Sequence, residues 1–474
     1  MVFSSLVFLY GFLPLCFVLY FIRPSIRYRN WVLVVLSLLF YAWGEPIYVV
    51  LLMVSALLNY LLGRAIGNRK EDGEDTNALL WLAVFINLGF LGFFKYTGFL
   101  VENINVIAGL NLAIPEITLP IGISFYTFQA LSYVIDVHRG KVGVQRSYRD
   151  FLLYVALFPQ LIAGPIVRYS EIEPQLQGRT STPKDIFTGL TRFLVGLGKK
   201  VLIANYAGSV SAQILDGNLA NVSTLGIWFG LIMFSFMIYF DFSGYSDMAI
   251  GLGRMFGFRY SENFNYPYIA NSITEFWRRW HISLSSFFRD YVYIPLGGNR
   301  KHQLLNLLVV WGLTGMWHGA SWNFILWGLY FFILLYVEKK SMKVLKKMPK
   351  ILRHMVTLFW VVIGWALFYC TDFSRLAQTF GVMFGTYGAG FTDSAMWVTI
   401  FNNLPLLILC IIGCTPLPLL CGVVIANLFG TYRKNATPKW AYIALTFLFQ
   451  LGILAICTIS LVGSSYNPFL YFRF

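Results

Sequence analysis

Charge is scarce in this 474-residue chain: Asp, Glu, Lys and Arg make up 12% of it, against 58% hydrophobic residues. A soluble domain carries about 25% charged residues, so a water-soluble globule is excluded. Carboxylates are the scarcer sign, 21 against 36 Lys and Arg, for a net charge of +15. The basic excess does not gather into the continuous face that nucleic acid requires. It falls in clusters between apolar runs, the pattern of cytoplasmic membrane loops. Cysteine is scarce too. Six are scattered, with Cys410, Cys414, Cys421 and Cys457 in or beside apolar segments. They have neither zinc-ligand spacing nor the regularity of a disulfide framework, so they read as small packing residues, and no metal is expected. Internal repeats, low-complexity tracts and a soluble domain are all missing, which disfavours a transporter built from inverted repeats.

Long apolar runs are what the chain has. A helix needs roughly 20 apolar residues to span a bilayer, and Val2–Ile22, Ala78–Leu100, Leu225–Ile250, Leu304–Val337 and Ala441–Gly463 reach that length. Val2–Ile22 is not a cleavable signal peptide, because no basic residue precedes it and Arg23, Arg27 and Arg29 follow it. The positive-inside rule puts those arginines in the cytoplasm. After a turn at Gly44-Glu45-Pro46, the clusters Arg64, Arg69, Lys70 and then His138, Arg139, Lys141, Arg146, Arg149 fall inside. Glu102–Glu116, without Lys or Arg, falls outside. Glu338–His354 is the strongest basic run and marks a cytoplasmic loop; Arg433, Lys434 and Lys439 mark another. The expectation is an all-α polytopic membrane protein of about 10–12 transmembrane helices plus re-entrant or short helices. It would form one domain over residues 1–474, with C-terminal helices at about 355–474.

Some segments do not read as simple spans. Phe151–Tyr169 is apolar but interrupted by Pro159, Gly164 and Pro165, and such breaks are tolerated at membrane depth only against protein or a water-lined cavity. It reads as a re-entrant or half-length helix. Asp185–Ala207, with Lys199 and Lys200, reads as tilted or interfacial. Leu304–Val337 is long enough for a hairpin or one very tilted helix, with Gly315, Gly319 and Ser321 at its break. Residues 251–302 turn polar and aromatic, a cytoplasmic-side insert partly buried between helices.

Ionisable residues inside membrane segments are costly and point to function by default. Three clusters qualify. In DFSGYSD, Asp241 and Asp247 are six positions apart and do not share a helix face. A break at Gly244 would let them converge, either to fix the helix break or to handle protons. In the insert, Asn271 or Ser272 can cap a helix starting near Ile273 with Glu275 in its first turn. Trp277 and His281, four apart, would then share a face, with Arg278, Arg279 and Arg289 nearby. Arginine forks suit phosphate or carboxylate; the competing reading is arginines snorkelling among aromatic anchors. In GMWHGASW, His318 follows Trp317 between Gly315 and Gly319. Small residues allow close approach, and a neutral imidazole can act as a general base toward an alcohol. A buried histidine that only satisfies hydrogen bonds is the competing reading.

FWRRWHISLSSFFRDYVYIPLGGNR and LTGMWHGASWNFILWG, with His281 and His318 37 positions apart, resemble the signature of the membrane-bound O-acyltransferases. LPIGISFYTFQALSYVIDVHRG, FPQLIAGPIVRY, YFDFSGYSDMAIGLGRMFGF, NFNYPY and the closing SSYNPFLYFRF resemble the bacterial alginate O-acetylation branch. The resemblance covers nearly the whole chain.

It implies a ring of helices around a thin core with a central tunnel. His318 would be catalytic and His281 would belong to a second site nearer the cytoplasm. By their own chemistry rather than by the resemblance, Arg278, Arg279 or Arg289 are candidates to hold the donor's phosphate, and Asp241, Asp247, Trp317 and Asn265 are candidates for polar support along the tunnel. No cofactor is expected to stay bound. An acyl donor such as acetyl-CoA or an acylated carrier protein would be a substrate on the cytoplasmic side. A secreted or membrane-anchored partner would complete transfer to an extracytoplasmic polysaccharide, from a bacterial cytoplasmic membrane. Other readings are D-alanyl transfer to teichoic acids by the same fold, a proton-coupled transporter, and a scaffold subunit.

Overall fold

The computed structural model of the chain describes residues 1–162, 164–428, 439–463 and 469. The expected cytoplasmic Arg433 and Lys434, and SSYNPFLYFRF except Phe469, lie outside the described residues. Among the described residues the secondary structure is helical, with no strand. Five helices are long and apolar enough to cross a membrane: Tyr48–Glu71, Asn77–Ala108 (α1), Thr224–Met255, Lys350–Tyr369 and Trp440–Val462. Ser394–Asn402 and Leu404–Gly413, bent by 56°, pass the same test as a pair. This is a multi-pass membrane protein. The expected 10–12 crossings exceed this set because other apolar segments form shorter helices. Val2–Ile22 is represented by an apolar helix over Phe8–Phe21, and Leu304–Val337, expected as a hairpin or one tilted helix, by two helices.

α2 (Pro183–Gly198) starts where a capping box dictates. Thr182 accepts from the Asp185 N–H, and the Asp185 carboxylate accepts from the Thr182 N–H. It passes into a π-helical turn, Lys199–Ala204, and then into Asn205–Leu215. α3 (Thr224–Met255) is the interior helix: 72% of its apolar window is buried, against 17% for α1 and 11% for Trp440–Val462. α2 and α3 cross face to face on glycines. A Cβ on Gly196 would lie 2.5 Å from the Gly244 carbonyl oxygen, and one on Gly251 would lie 2.6 Å from that of Gly189. Each partner pair is seven residues along from the other, so one small-residue face on each helix lets the backbones touch.

The break expected at Gly244 is therefore absent. α3 runs through it unbroken, and the glycine serves interhelical contact instead. The expected re-entrant stretch is a pair of buried short helices, Tyr148–Ala156 and Phe158–Leu161.

Buried side chains form two clusters. One gathers the N-terminal helices, the 150s and the C-terminal half of α3. The other gathers the N-terminal half of α3, the aromatic insert and Phe324, Trp327, Trp365 and Phe368. Their junction is where the two histidines lie.

Candidate active site

The insert is built from two seven-residue helices, α4 (Ile273–Arg279) and α5 (Ile282–Phe288). Ser272 caps α4 by accepting from the Glu275 N–H at 3.0 Å, as its sequence indicates. The N–H of Ile273 also donates to Glu338 Oε2 at 2.6 Å, and that of Thr274 to Glu338 Oε1 at 3.2 Å. A carboxylate at the end of a distant helix thus neutralises the positive start of α4.

α4 stops at Arg279, and this corrects the expectation that Trp277 and His281 share a helical face. His281 caps α5 with φ 43°, in the left-handed region. That conformation costs free energy outside glycine and persists where the surroundings enforce it. Trp277 turns away to Trp311, Trp327 and Phe331.

Asn263 enforces the His281 geometry. Its backbone carbonyl accepts from the Ile282 N–H at 2.9 Å. Its side-chain Oδ1 accepts from the Ser283 N–H at 3.2 Å and the Ser283 hydroxyl at 2.9 Å. His281 Nδ1 is 3.1 Å from the same Oδ1. The Ser283 N–H can only donate, which fixes which end of the amide carries oxygen, and Nδ1 must then carry the proton. Nε2 is left with its lone pair, buried and without a hydrogen-bond partner among the described residues. Burial alone pushes the His281 imidazolium pKa down to about 3, so the ring is neutral at physiological pH.

His318 ends α6 (Gln303–His318), and α7 (Trp322–Lys340) returns beside it. Of the two expected forms, a hairpin or one tilted helix, the structure shows the hairpin, broken at Gly319–Ser321. The contact is backbone to backbone: a Cβ on Gly315 would lie 2.4 Å from the Phe324 carbonyl oxygen, and one on Gly328 2.4 Å from that of Trp311. The His318 ring is 6% exposed and enclosed by Trp317, Trp327 and Phe368 at centroid distances of 4.9, 4.9 and 5.2 Å. Trp317 joins the two histidines, with its ring 5.6 Å from that of His281. The structure thus brings His281, Trp317 and His318 into one aromatic chamber.

The other candidates are placed differently. Asp241 sits in α3 and pairs with Lys200 at 2.5 Å, both side chains under 5% exposed. Asp247 is shared by Arg192 and Lys199 at 2.7 and 2.6 Å. The two carboxylates do not converge; each is neutralised across the α2–α3 interface and its π-helical extension. Arg279 pairs with Glu275 and donates to the Asn265 carbonyl. Asn265 is exposed and anchors α4 through its backbone. Arg289 pairs with Asp290, which also takes Arg168. Arg278 is exposed. A cavity of about 240 Å³ is lined by Arg192, Arg254, Arg259, Tyr260 and Glu262 among others, and Glu262 directly precedes the Asn263 that holds His281. Among the described residues no three His, Cys, Asp or Glu side chains group as metal ligands.

Sequence reasoning passed over Asn263, Ser283 and Glu338, whose roles depend on contacts distant in sequence. It also passed over Lys95, which had a visible signal as the lone lysine of an apolar run. Its Nζ donates to the Trp317 carbonyl.

The chain as a whole has similar counterparts among known proteins. The membrane-bound O-acyltransferase family model matches residues 142–376. The probable alginate O-acetylase AlgI of Pseudomonas putida is 39% identical over 502 residues, covering 100% of both chains. The peptidoglycan O-acetyltransferase of Helicobacter pylori is 33% identical over 527 residues, 100% of this chain and 98% of its own. The teichoic acid D-alanyltransferase of Bacillus subtilis is 29% identical over 270 residues, 52% of this chain and 68% of its own.

The chain belongs to the membrane-bound O-acyltransferase family and is an O-acyltransferase. Within that family it falls in the alginate O-acetyltransferase-like branch.

Proposed function

We propose that this enzyme takes an acetyl group from a cytoplasmic thioester, such as acetyl-CoA or an acylated carrier protein, and delivers it across a bacterial cytoplasmic membrane for O-acetylation of an exported or cell-surface glycan. The observation that carries the reading is the aromatic cluster that joins His281, at the start of α5, to Trp317 and His318 at the end of α6. In acetyl transfer the acceptor hydroxyl loses a proton as its oxygen bonds to the acyl carbon, and the carbon–sulfur bond breaks to release a thiol. His318 is the base that takes the proton, an effect worth about 10²–10⁴-fold. The aromatic enclosure excludes the bulk water that would hydrolyse the thioester. His281, neutral and fixed by Asn263, offers its Nε2 lone pair to a donor group on the substrate.

The exposed Arg278 supplies a cationic fork suited to phosphates on the donor's carrier. Arg279 and Arg289, already committed to Glu275 and Asp290, are secondary candidates for that role. A secreted or membrane-anchored partner completes transfer to the glycan. Acetyl is favoured over D-alanyl because the two O-acetylating relatives named above align over the whole chain and the D-alanyl relative named with them over about half.

The test is mass spectrometry of surface glycans from cells with wild-type protein, His318→Ala, or neither. Loss of the same ester in the deletion and in a folded His318→Ala supports the reading, and the missing mass separates acetyl from alanyl. An ester retained by His318→Ala but lost in the deletion overturns it in favour of a conduit or scaffold.

A further inference from the structure

α1 carries two charged residues along its 32, Lys95 and Glu102. Its apolar window has a mean hydropathy of 1.9. A lysine in such a helix is costly, and its partner states its purpose. Here the partner is a backbone carbonyl. Lys95 Nζ donates to the carbonyl of Trp317, and the neighbouring Tyr96 hydroxyl donates to that of Met316.

Those carbonyls belong to the last turn of α6, which ends at His318. The final four carbonyls of a helix have no partner within it, and helices often satisfy them with a left-handed glycine just past the end. Gly319 is extended, with φ −170° and ψ 160°, so that solution is not used. Side chains of another helix cap α6 instead, and the ammonium also opposes the negative end of the helix dipole. α1 grips the far arm of the turn as well. Trp322 Nε1 donates to Asn103 Oδ1 at 2.8 Å, and the Phe99 and Trp322 rings are 5.6 Å apart. Both sides of the His318 turn are thus fastened to one face of α1.

We infer that Lys95 and Tyr96 cap α6 in trans and thereby set the position of the His318 imidazole, which makes Lys95 a positioning residue for acyl transfer. The inference rests on His318 being the base. A lysine that merely snorkelled to the membrane surface would leave the turn indifferent to its loss.

The test uses full-length protein in membranes of the deletion strain, with Lys95→Met, Lys95→Arg and Tyr96→Phe. Two quantities are read: the rate of surface-ester formation per folded protein, and the rate at which diethyl pyrocarbonate modifies His318 and His281, resolved by peptide mass spectrometry. Misplacing a reacting group by an ångström can cost about 10²-fold. Lys95→Met is therefore expected to slow ester formation by about 10- to 100-fold and to change the modification rate of His318 but not of His281. Lys95→Arg, still cationic, restores most of both. Tyr96→Phe, which removes one hydroxyl and keeps the ring, gives a smaller change in the same direction.

Folded Lys95→Met with wild-type ester formation and wild-type His318 reactivity overturns the inference. Should Lys95→Met fail to accumulate, Tyr96→Phe with both quantities unchanged overturns it equally. The readings fail separately: an active His318→Ala removes the base itself, whereas an inactive His318→Ala beside an active Lys95→Met removes only the cap.

Discussion

The imidazole of His281 lies against the indole of Trp317, 5.6 Å between ring centres, and the indole in turn lies 4.9 Å from His318. Trp317 is thus packed between the two histidines as a wall rather than as a proton carrier. Trp317 also lies 5.6 Å from Phe125 and 6.1 Å from Phe128, both on a helix of the first hydrophobic cluster. The tryptophan keys the hairpin of α6 and α7 onto that cluster.

Substituting this wall should separate packing from polarity. Trp317→Phe retains an aromatic plate and is expected to keep acyl transfer within about an order of magnitude of wild type. Trp317→Ala opens a cavity costing about 3–5 kcal/mol and should abolish transfer while lowering the melting temperature in detergent. Equal activity of the two variants, measured as surface ester per folded protein, would argue that the indole is irrelevant to the chamber.

His281 predicts a pH dependence of stability. Its imidazolium pKa is pushed down to about 3 by burial, whereas in the unfolded chain it sits near 6.5. Between those values the unfolded state binds a proton that the folded state does not, so stability rises with pH and levels off above about 6.5. Melting curves of purified protein from pH 8 to pH 5 should show a loss on acidification that is shallower in His281→Gln. Parallel curves for the two proteins would refute a neutral, buried His281.

The glycine crossing makes a sharper claim about packing. Gly244→Ala or Gly251→Ala would drive a methyl into the backbone of α2, since the neighbouring carbonyl oxygens lie 2.8 and 2.6 Å from a built Cβ. Overpacking of this kind costs about 1–3 kcal/mol. Gly312→Ala, with nothing within 4 Å of its Cβ, is the control and should be neutral or slightly stabilising. Thermal unfolding by tryptophan fluorescence distinguishes them, and similar melting temperatures for all three would contradict the close contact.

What could be read from the sequence was what short-range chemistry specifies. Ser272 announces α4 by its place before Glu275, and Gly319 and Ser321 mark the break beside His318, whereas Gly315, expected at that break, lies within α6 and packs against Phe324. The helical face shared by Trp277 and His281 was misread because periodicity does not reveal that α4 stops after seven residues and that His281 adopts a positive φ. Gly244 was misread as a breaker because a glycine that permits a turn and one that permits a crossing look the same along the chain. The partners of Asp241 and Asp247 were invisible for a different reason: Lys200, Lys199 and Arg192 lie some 40–55 residues away, brought near by the α2–α3 crossing. Lys95 was legible in principle, as a cation in an apolar run, but its acceptor is a backbone carbonyl that no side-chain pattern encodes.

The Asp241–Lys200 pair carries the last prediction, because its position decides whether it belongs to stability or to chemistry. Both side chains are under 5% exposed and meet at 2.5 Å, and Lys200 Nζ also lies 4.7 Å from the Phe469 ring centre. Breaking a buried pair by removing one member costs about 3–5 kcal/mol, while replacing both with apolar residues of similar size is often neutral or stabilising. Asp241→Asn should therefore destabilise the protein strongly, and Asp241→Leu with Lys200→Met should recover most of the melting temperature. If the pair only holds α3 to the π-helical turn, the double variant also recovers acyl transfer. If Asp241 instead handles protons, the double variant melts like wild type yet forms no surface ester, and the carboxylate moves from the scaffold into the reaction.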